Sequence, residues 1–229
     1  MKAERLQLIF SGILAGCALI ITGAVLYRLL ATPEAPSPPS FPEDFETLPA
    51  LPDSLWEPLL QGGHRVGAAE PQVILVEFLD YRCAYCRQIH PTLEALLEAY
   101  PDLQIIYRHY PLNLNRSAAA ARIALCADAQ GWFERMHTRL LTAQKLDVES
   151  LLYDRTASER ATFDSCLYGR DSPVDSLLLQ DIALARRVGV TGTPTFFLNG
   201  RRVPVGVPAS RLRDYVHQAL QRESRPAQR

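Results

Sequence analysis

The chain has 229 residues, 48% of them hydrophobic, with 24 Lys+Arg against 25 Asp+Glu. That length suits one compact domain with an appendage rather than a multidomain assembly. A formal net charge of −1 supplies neither the field that holds a polyanion nor a polybasic grip on a membrane, which argues against nucleic acid as a partner.

From Leu6 to Tyr27 the only polar residues are Gln7, Ser11 and Thr22, and a helix of that length reaches roughly 33 Å, enough to cross a bilayer. Lys2 and Arg5 precede the run and only Arg28 follows closely, so the positive-inside bias puts the N-terminus in the cytoplasm and the rest outside. Residues 1–30 are thus expected to be a transmembrane anchor. A cleaved signal peptide has the same layout, and Leu14-Ala15-Gly16-Cys17 resembles a lipobox in which the cysteine is lipid-modified; all three readings export the same domain. Between Thr32 and Pro58 lie eight of the chain's 17 prolines, so residues 31–61 read as an extended spacer. Phe41, Phe45, Leu48, Leu51, Leu55 and Trp56 leave open a second reading, in which its latter half packs as an ordered arm.

Val73 to Leu79 is a nearly continuous apolar run rich in β-branched residues, the pattern of a strand covered on both faces. A helical period follows through Ile89, Leu93, Leu96 and Leu97 up to Pro101, and Leu103 to Tyr107 reads as a second strand, completing a right-handed βαβ unit. From Ser117 to Val188 the period is helical, with caps expected at Ser117, Ser158 and Ser172-Pro173 and a stop at Gly189. Thr195–Leu198 and Arg201–Pro204 flank Asn199-Gly200, a strong hairpin signal, before a helix from about Ala209 to Gln221. The expectation is an α/β fold: a four-stranded mixed sheet flanked by helices and interrupted by a helical insertion at about 113–188.

Cys83-Ala84-Tyr85-Cys86 falls where the first strand ends and its helix begins. There unsatisfied backbone N–H groups and the helix dipole favour a thiolate at Cys83. The two-residue spacing lets Cys83 attack while Cys86 resolves the mixed disulfide. A bare pair at this spacing also serves as half a zinc site, with His90 one turn further on as a third ligand, but nothing completes such a site and no metal is expected. His90, before Pro91, reads as a packing residue at a kink. Glu77, inside an apolar strand six residues before Cys83, must be paired, protonated or functional; an edge-facing carboxylate is the plain alternative.

Phe78-Leu79-Asp80-Tyr81-Arg82-Cys83-Ala84-Tyr85-Cys86 and Gly192-Thr193-Pro194-Thr195-Phe196-Phe197 resemble two segments of the DsbA-like thiol-disulfide oxidoreductases, which carry a helical insertion in a thioredoxin-like fold. The resemblance covers roughly residues 62–221, leaving 222–229 as a tail. It implies Cys83 as the attacking and Cys86 as the buried cysteine, a cis-proline at Pro194, and substrate contacts at Thr193, Pro194 and Tyr85. It also implies that Glu77 moves a proton to or from Cys86 with a pKa raised by desolvation. The only redox group implied is the Cys83–Cys86 disulfide, with no cofactor. Partners implied are exported protein thiols and a membrane protein that reoxidises the dithiol, which places the domain on the periplasmic side of a bacterial inner membrane.

Tyr85 and Thr193 look like the isomerase branch, where the oxidase branch more often has His and Val; against isomerase, the Pro-rich segment cannot supply that branch's dimerisation domain. A third reading, from a different class, is a non-enzymatic tethered chaperone or metal carrier. Cys126 and Cys166 are either a structural bridge, which some relatives carry, or two buried free thiols. His64, His109, His137 and His217 read as surface or packing histidines.

Overall fold

The structure is a computed structural model that describes residues 20–28, 40–170 and 172–224. Residues 20–28 are helical and exposed. The rest of the expected anchor, Cys17 included, lies outside the described residues, among which no helix is long and apolar enough to cross a membrane.

The folded unit begins at Phe41, twenty residues before the end of the expected spacer. Phe45 and Leu48 are buried in the main core, and α1 (Asp53–Leu59) brings Leu59 into a second one. Tyr215 donates to the Pro42 carbonyl at 2.6 Å, and Gln218 accepts from the Phe45 amide at 2.7 Å. The prolines limit pairing here to one antiparallel bridge, Ala50 to Arg201, and the aromatic and leucine side chains between them have enough apolar area to pack.

The sheet has five strands in the order β1-β3-β2-β4-β5, not the expected four. Besides β2 (Val73–Leu79), β3 (Leu103–His109), β4 (Thr195–Leu198) and β5 (Arg201–Arg202), it contains β1 (His64–Gly67), antiparallel to β3 at the edge. Its sequence, His-Arg-Val-Gly, is too short and polar to register as a strand. Gly67, at φ 101°, ends it where any Cβ would meet the Leu103 carbonyl oxygen at 2.3 Å. The β2–β3 pair is parallel and joined by α2 (Ala84–Ala99), as the βαβ reading requires. Asn199 (φ 42°) and Gly200 (φ 76°) make the β4–β5 turn.

The insertion contains α3 (Leu114–Asp128), α4 (Phe133–Thr142), α5 (Val148–Leu151), α6 (Ala157–Tyr168) and α7 (Val174–Arg187), and α8 (Ala209–Glu223) closes the fold. Two caps differ from expectation. Asn113, not Ser117, caps α3 by accepting from the Arg116 amide, and Ser117 is buried inside that helix. Thr156, not Ser158, caps α6 in a reciprocal box with Glu159. In both cases a better-placed side chain lies upstream of the serine that the periodicity suggested.

One sheet face, with Leu75, Leu79, Ile105 and Tyr107, packs on α2, α8 and the insertion; the other, with Val76, Phe78, Ile106 and Phe197, packs on α1 and α7. Cys126 and Cys166 are bonded to each other, fixing α3 to α6.

Candidate active site

The N-terminus of α2 is set by Cys83, an extended residue at the N-cap without a side-chain cap bond, so the first amides of the helix are open to an anionic ligand. The Cys83 sulfur is that ligand. It receives a hydrogen bond from the Cys86 thiol, faces the otherwise unpartnered Thr193 hydroxyl, and is met by the amides of Cys86 and Tyr85. These donors, Cys86 first, outweigh partial burial and bring the Cys83 pKa down to about 5, so it is a thiolate at neutral pH. When protonated it donates to the Thr193 carbonyl at 3.1 Å.

Cys86 is buried, and its pKa is pushed well above the ordinary thiol range, first because it donates to Cys83, then by burial and the Glu77 charge. The two sulfurs thus have opposite preferences, one anionic and one protonated, with both cysteines free. Glu77 is 2% exposed in the middle of β2. Burial, with the Cys83 charge second, raises its carboxyl to about 8, so it is largely protonated at neutral pH.

The peptide bond between Thr193 and Pro194 is cis, and the Thr193 carbonyl is the one beside Cys83. Tyr85, between the cysteines, is 67% exposed. The structure therefore brings Cys83, Cys86, Thr193 and Pro194 together, with Tyr85 at the opening and Glu77 beneath. Cys126 and Cys166 lie apart in the insertion. His90 is buried with its ring nitrogens unpartnered by hydrogen bonds. Among the described residues no group of three or more His, Cys, Asp or Glu is placed to hold a metal ion.

Three residues passed over in the sequence shape this site. Asp80, buried, accepts from the Arg82 amide at 2.8 Å and the Leu112 amide at 3.0 Å, tying the active-site turn to the start of the insertion. Arg87 donates to the Tyr81 carbonyl at 3.0 Å and the Ala143 carbonyl at 2.7 Å, fastening α2 to the end of α4. Tyr81, 1% exposed, meets Nδ1 of His137 at 2.9 Å. The available signal was an acid and an aromatic residue immediately before the cysteine pair.

Fold and site together define a thiol-disulfide oxidoreductase of the thioredoxin type with a helical insertion. Residues 60–218 match the family described as Thioredoxin, and the chain belongs to that family. It is similar to a periplasmic thioredoxin-like protein of Salmonella enterica serovar Typhimurium, at 27% identity and TM-score 0.62 over 75% of this chain and 98% of that one. The catalytic domain of Proteus mirabilis ScsC matches at 28% identity and TM-score 0.62, over 73% and 96% of the two chains. Among curated proteins, a Na(+)/H(+) antiporter NhaA of Salinispora tropica is 37% identical over 146 residues, 61% of this chain. The chain spans only 22% of that relative's length.

Proposed function

We propose that this protein donates its Cys83–Cys86 disulfide to exported proteins from the extracytoplasmic side of a bacterial inner membrane, tethered by its apolar N-terminal segment. The observation that carries the reading is the Cys83 sulfur at the head of α2, met by the Cys86 thiol and the first helix amides, which bring its pKa down to about 5. A stabilised thiolate makes the dithiol the favoured state and the disulfide an oxidant. The periplasmic description of the Salmonella protein supports the compartment. Disulfide isomerisation or reduction by the same cysteines is the alternative direction; the tyrosine and threonine at positions 85 and 193 favour it.

In the forward reaction a substrate thiolate attacks the Cys83 sulfur, the Cys83–Cys86 bond breaks, and Cys86 departs with a proton from Glu77. A second substrate thiolate then attacks the mixed disulfide and releases Cys83 as its stable thiolate. Thr193 and Pro194 present backbone beside Cys83 for an extended substrate segment, and Tyr85 offers an apolar contact. A membrane redox protein reoxidises the dithiol. The test is to mix the oxidised full-length chain with a reduced, unfolded protein of known disulfides and count thiols on both. Stoichiometric transfer is expected; an oxidised chain that leaves the substrate reduced overturns the reading.

A further inference from the structure

β2 lies between β3 and β4 in the sheet, parallel to the first and antiparallel to the second. Leu79 is in register with His109, and Phe78 with Thr195. The turn that follows β2 therefore runs between the segment after β3 and the segment before β4, with the strands on either side about 5 Å away. The segment before β4 carries Thr193 and Pro194. The segment after β3, residues 110–113, leads into the insertion, and its Tyr110 amide donates to the Leu79 carbonyl at 2.8 Å.

Asp80 opens that turn and is 5% exposed. Its carbonyl accepts from the Cys83 amide at 2.9 Å, and its own amide faces the Cys86 sulfur. Its side chain is divided between two donors: Oδ1 accepts from the Arg82 amide at 2.8 Å and Oδ2 from the Leu112 amide at 3.0 Å. The first of these bonds is local and closes a turn that serine, asparagine or aspartate can serve. The second crosses 32 positions of sequence. Serving both donors at once in a buried place requires a carboxylate, because an asparagine has one acceptor oxygen and would set its NH2 group against the other backbone N–H.

We propose that Asp80 is a positioning residue for disulfide exchange: by accepting the Arg82 amide on one oxygen and the Leu112 amide on the other, it braces the 80–83 turn against the start of the insertion and holds the Cys83 sulfur at the head of α2. The proposal rests on the oxidoreductase reading and adds a residue outside the cysteine pair. In each turnover the Cys83 sulfur passes from its bond with Cys86, through a bond to substrate, to the free thiolate. The Cys86 thiol and the amides of Cys86 and Tyr85 that meet the thiolate act only over hydrogen-bond range. A turn tied at one end would let Cys83 swing away from them once its bond to Cys86 opens; the Leu112 tie holds the other side.

Position and charge have opposite signs here. A negative carboxylate acting on Cys83 by its charge alone opposes the thiolate, and its removal eases ionisation. Acting by position it supports the thiolate, and its removal hinders ionisation. A merely structural role lowers resistance to unfolding and leaves the thiolate of the folded molecule unchanged. Glu77, Cys86 and Thr193, the other groups that face Cys83, are retained in every variant below.

The test titrates the 240 nm thiolate absorbance of the reduced full-length chain in the parent, Asp80→Asn and Asp80→Ala, with folding checked by circular dichroism at each pH. Asparagine keeps the local acceptor and loses the one for Leu112; alanine loses both. The Cys83 midpoint should rise by about half a pH unit in Asp80→Asn and about one unit or more in Asp80→Ala. The second readout is the equilibrium in which the oxidised chain and two glutathione molecules give the dithiol and one glutathione disulfide, the Cys83–Cys86 bond breaking as the glutathione S–S bond forms. Its constant at pH 7 should fall by about threefold in Asp80→Asn and about tenfold in Asp80→Ala. A midpoint in Asp80→Ala that falls, or rises by less than about half a unit, overturns the proposal. If Asp80→Ala does not fold, Asp80→Asn decides, with a rise below about 0.3 of a unit overturning it. If neither folds, Leu112→Pro decides by that same limit, since it removes the amide that Oδ2 accepts at a position 54% exposed. A parent that does not exchange with glutathione defeats the oxidoreductase reading, and the midpoints still decide whether Asp80 positions Cys83.

Discussion

Replacing Glu77 with glutamine should stabilise the reduced protein, by an amount that grows with pH. Glu77 titrates at about 8 in the fold against an ordinary 4.5. Below pH 4.5 the carboxyl is protonated both folded and unfolded, and its ionisation does not bear on stability. Between 4.5 and about 8 the unfolded chain releases the proton while the fold retains it, so stability falls by about 1.4 kcal/mol per pH unit. The penalty is roughly 3 kcal/mol at pH 7 and levels off at roughly 5 kcal/mol above pH 8. Glutamine has no such penalty. Any packing difference between the two side chains is the same at every pH and cancels when pH values are compared. Urea unfolding of the reduced parent and Glu77→Gln at pH 4.5, 7 and 9 measures the gap. A gap that does not widen from pH 4.5 to 9 refutes the assignment of Glu77 as a buried, protonated acid. The same variant should exchange disulfides more slowly, a case of stability gained where function is lost.

Three further outcomes are expected. The 240 nm absorbance of the Cys83 thiolate should titrate with a midpoint near 5; in Cys86→Ala, which removes the strongest donor to that sulfur, the midpoint should rise by about one pH unit or more. Asp181→Ala should lower stability by about 3–5 kcal/mol in thermal or urea unfolding, because Arg108, 2.7 Å from that carboxylate and 5% exposed, would be left as an unpaired buried charge. Replacing both Cys126 and Cys166 with alanine opens a loop of sequence separation 40 and should lower stability by up to about 4 kcal/mol by the chain-entropy model, with exchange per folded molecule unchanged.

Much of this architecture is written locally. The β2 run, the cysteine pair at the head of α2, and the Asn199-Gly200 turn are contiguous patterns, and each occupies the expected place. What escaped depends on partners distant in sequence. β1 is a strand only because β3 offers an edge to its four residues. Phe45 and Leu48, which the sequence left between spacer and ordered arm, are core residues because α8 lies across them, over 160 positions later. Glu77 was legible for the opposite reason: a lone carboxylate in an apolar strand carries its own anomaly.

The central claim is that the dithiol is the stabilised state. A thiolate with pKa about 5 favours the reduced form at pH 7 by about 2.7 kcal/mol over an un-ionised pair, or roughly 60 mV. The direct measurement is the reduction potential of the Cys83–Cys86 pair in the full-length chain, equilibrated against glutathione buffers at pH 7. A value above about −220 mV is expected, toward the roughly −120 mV of a strong disulfide donor. A value at or below the roughly −270 mV of thioredoxin would contradict it and make the protein a reductant.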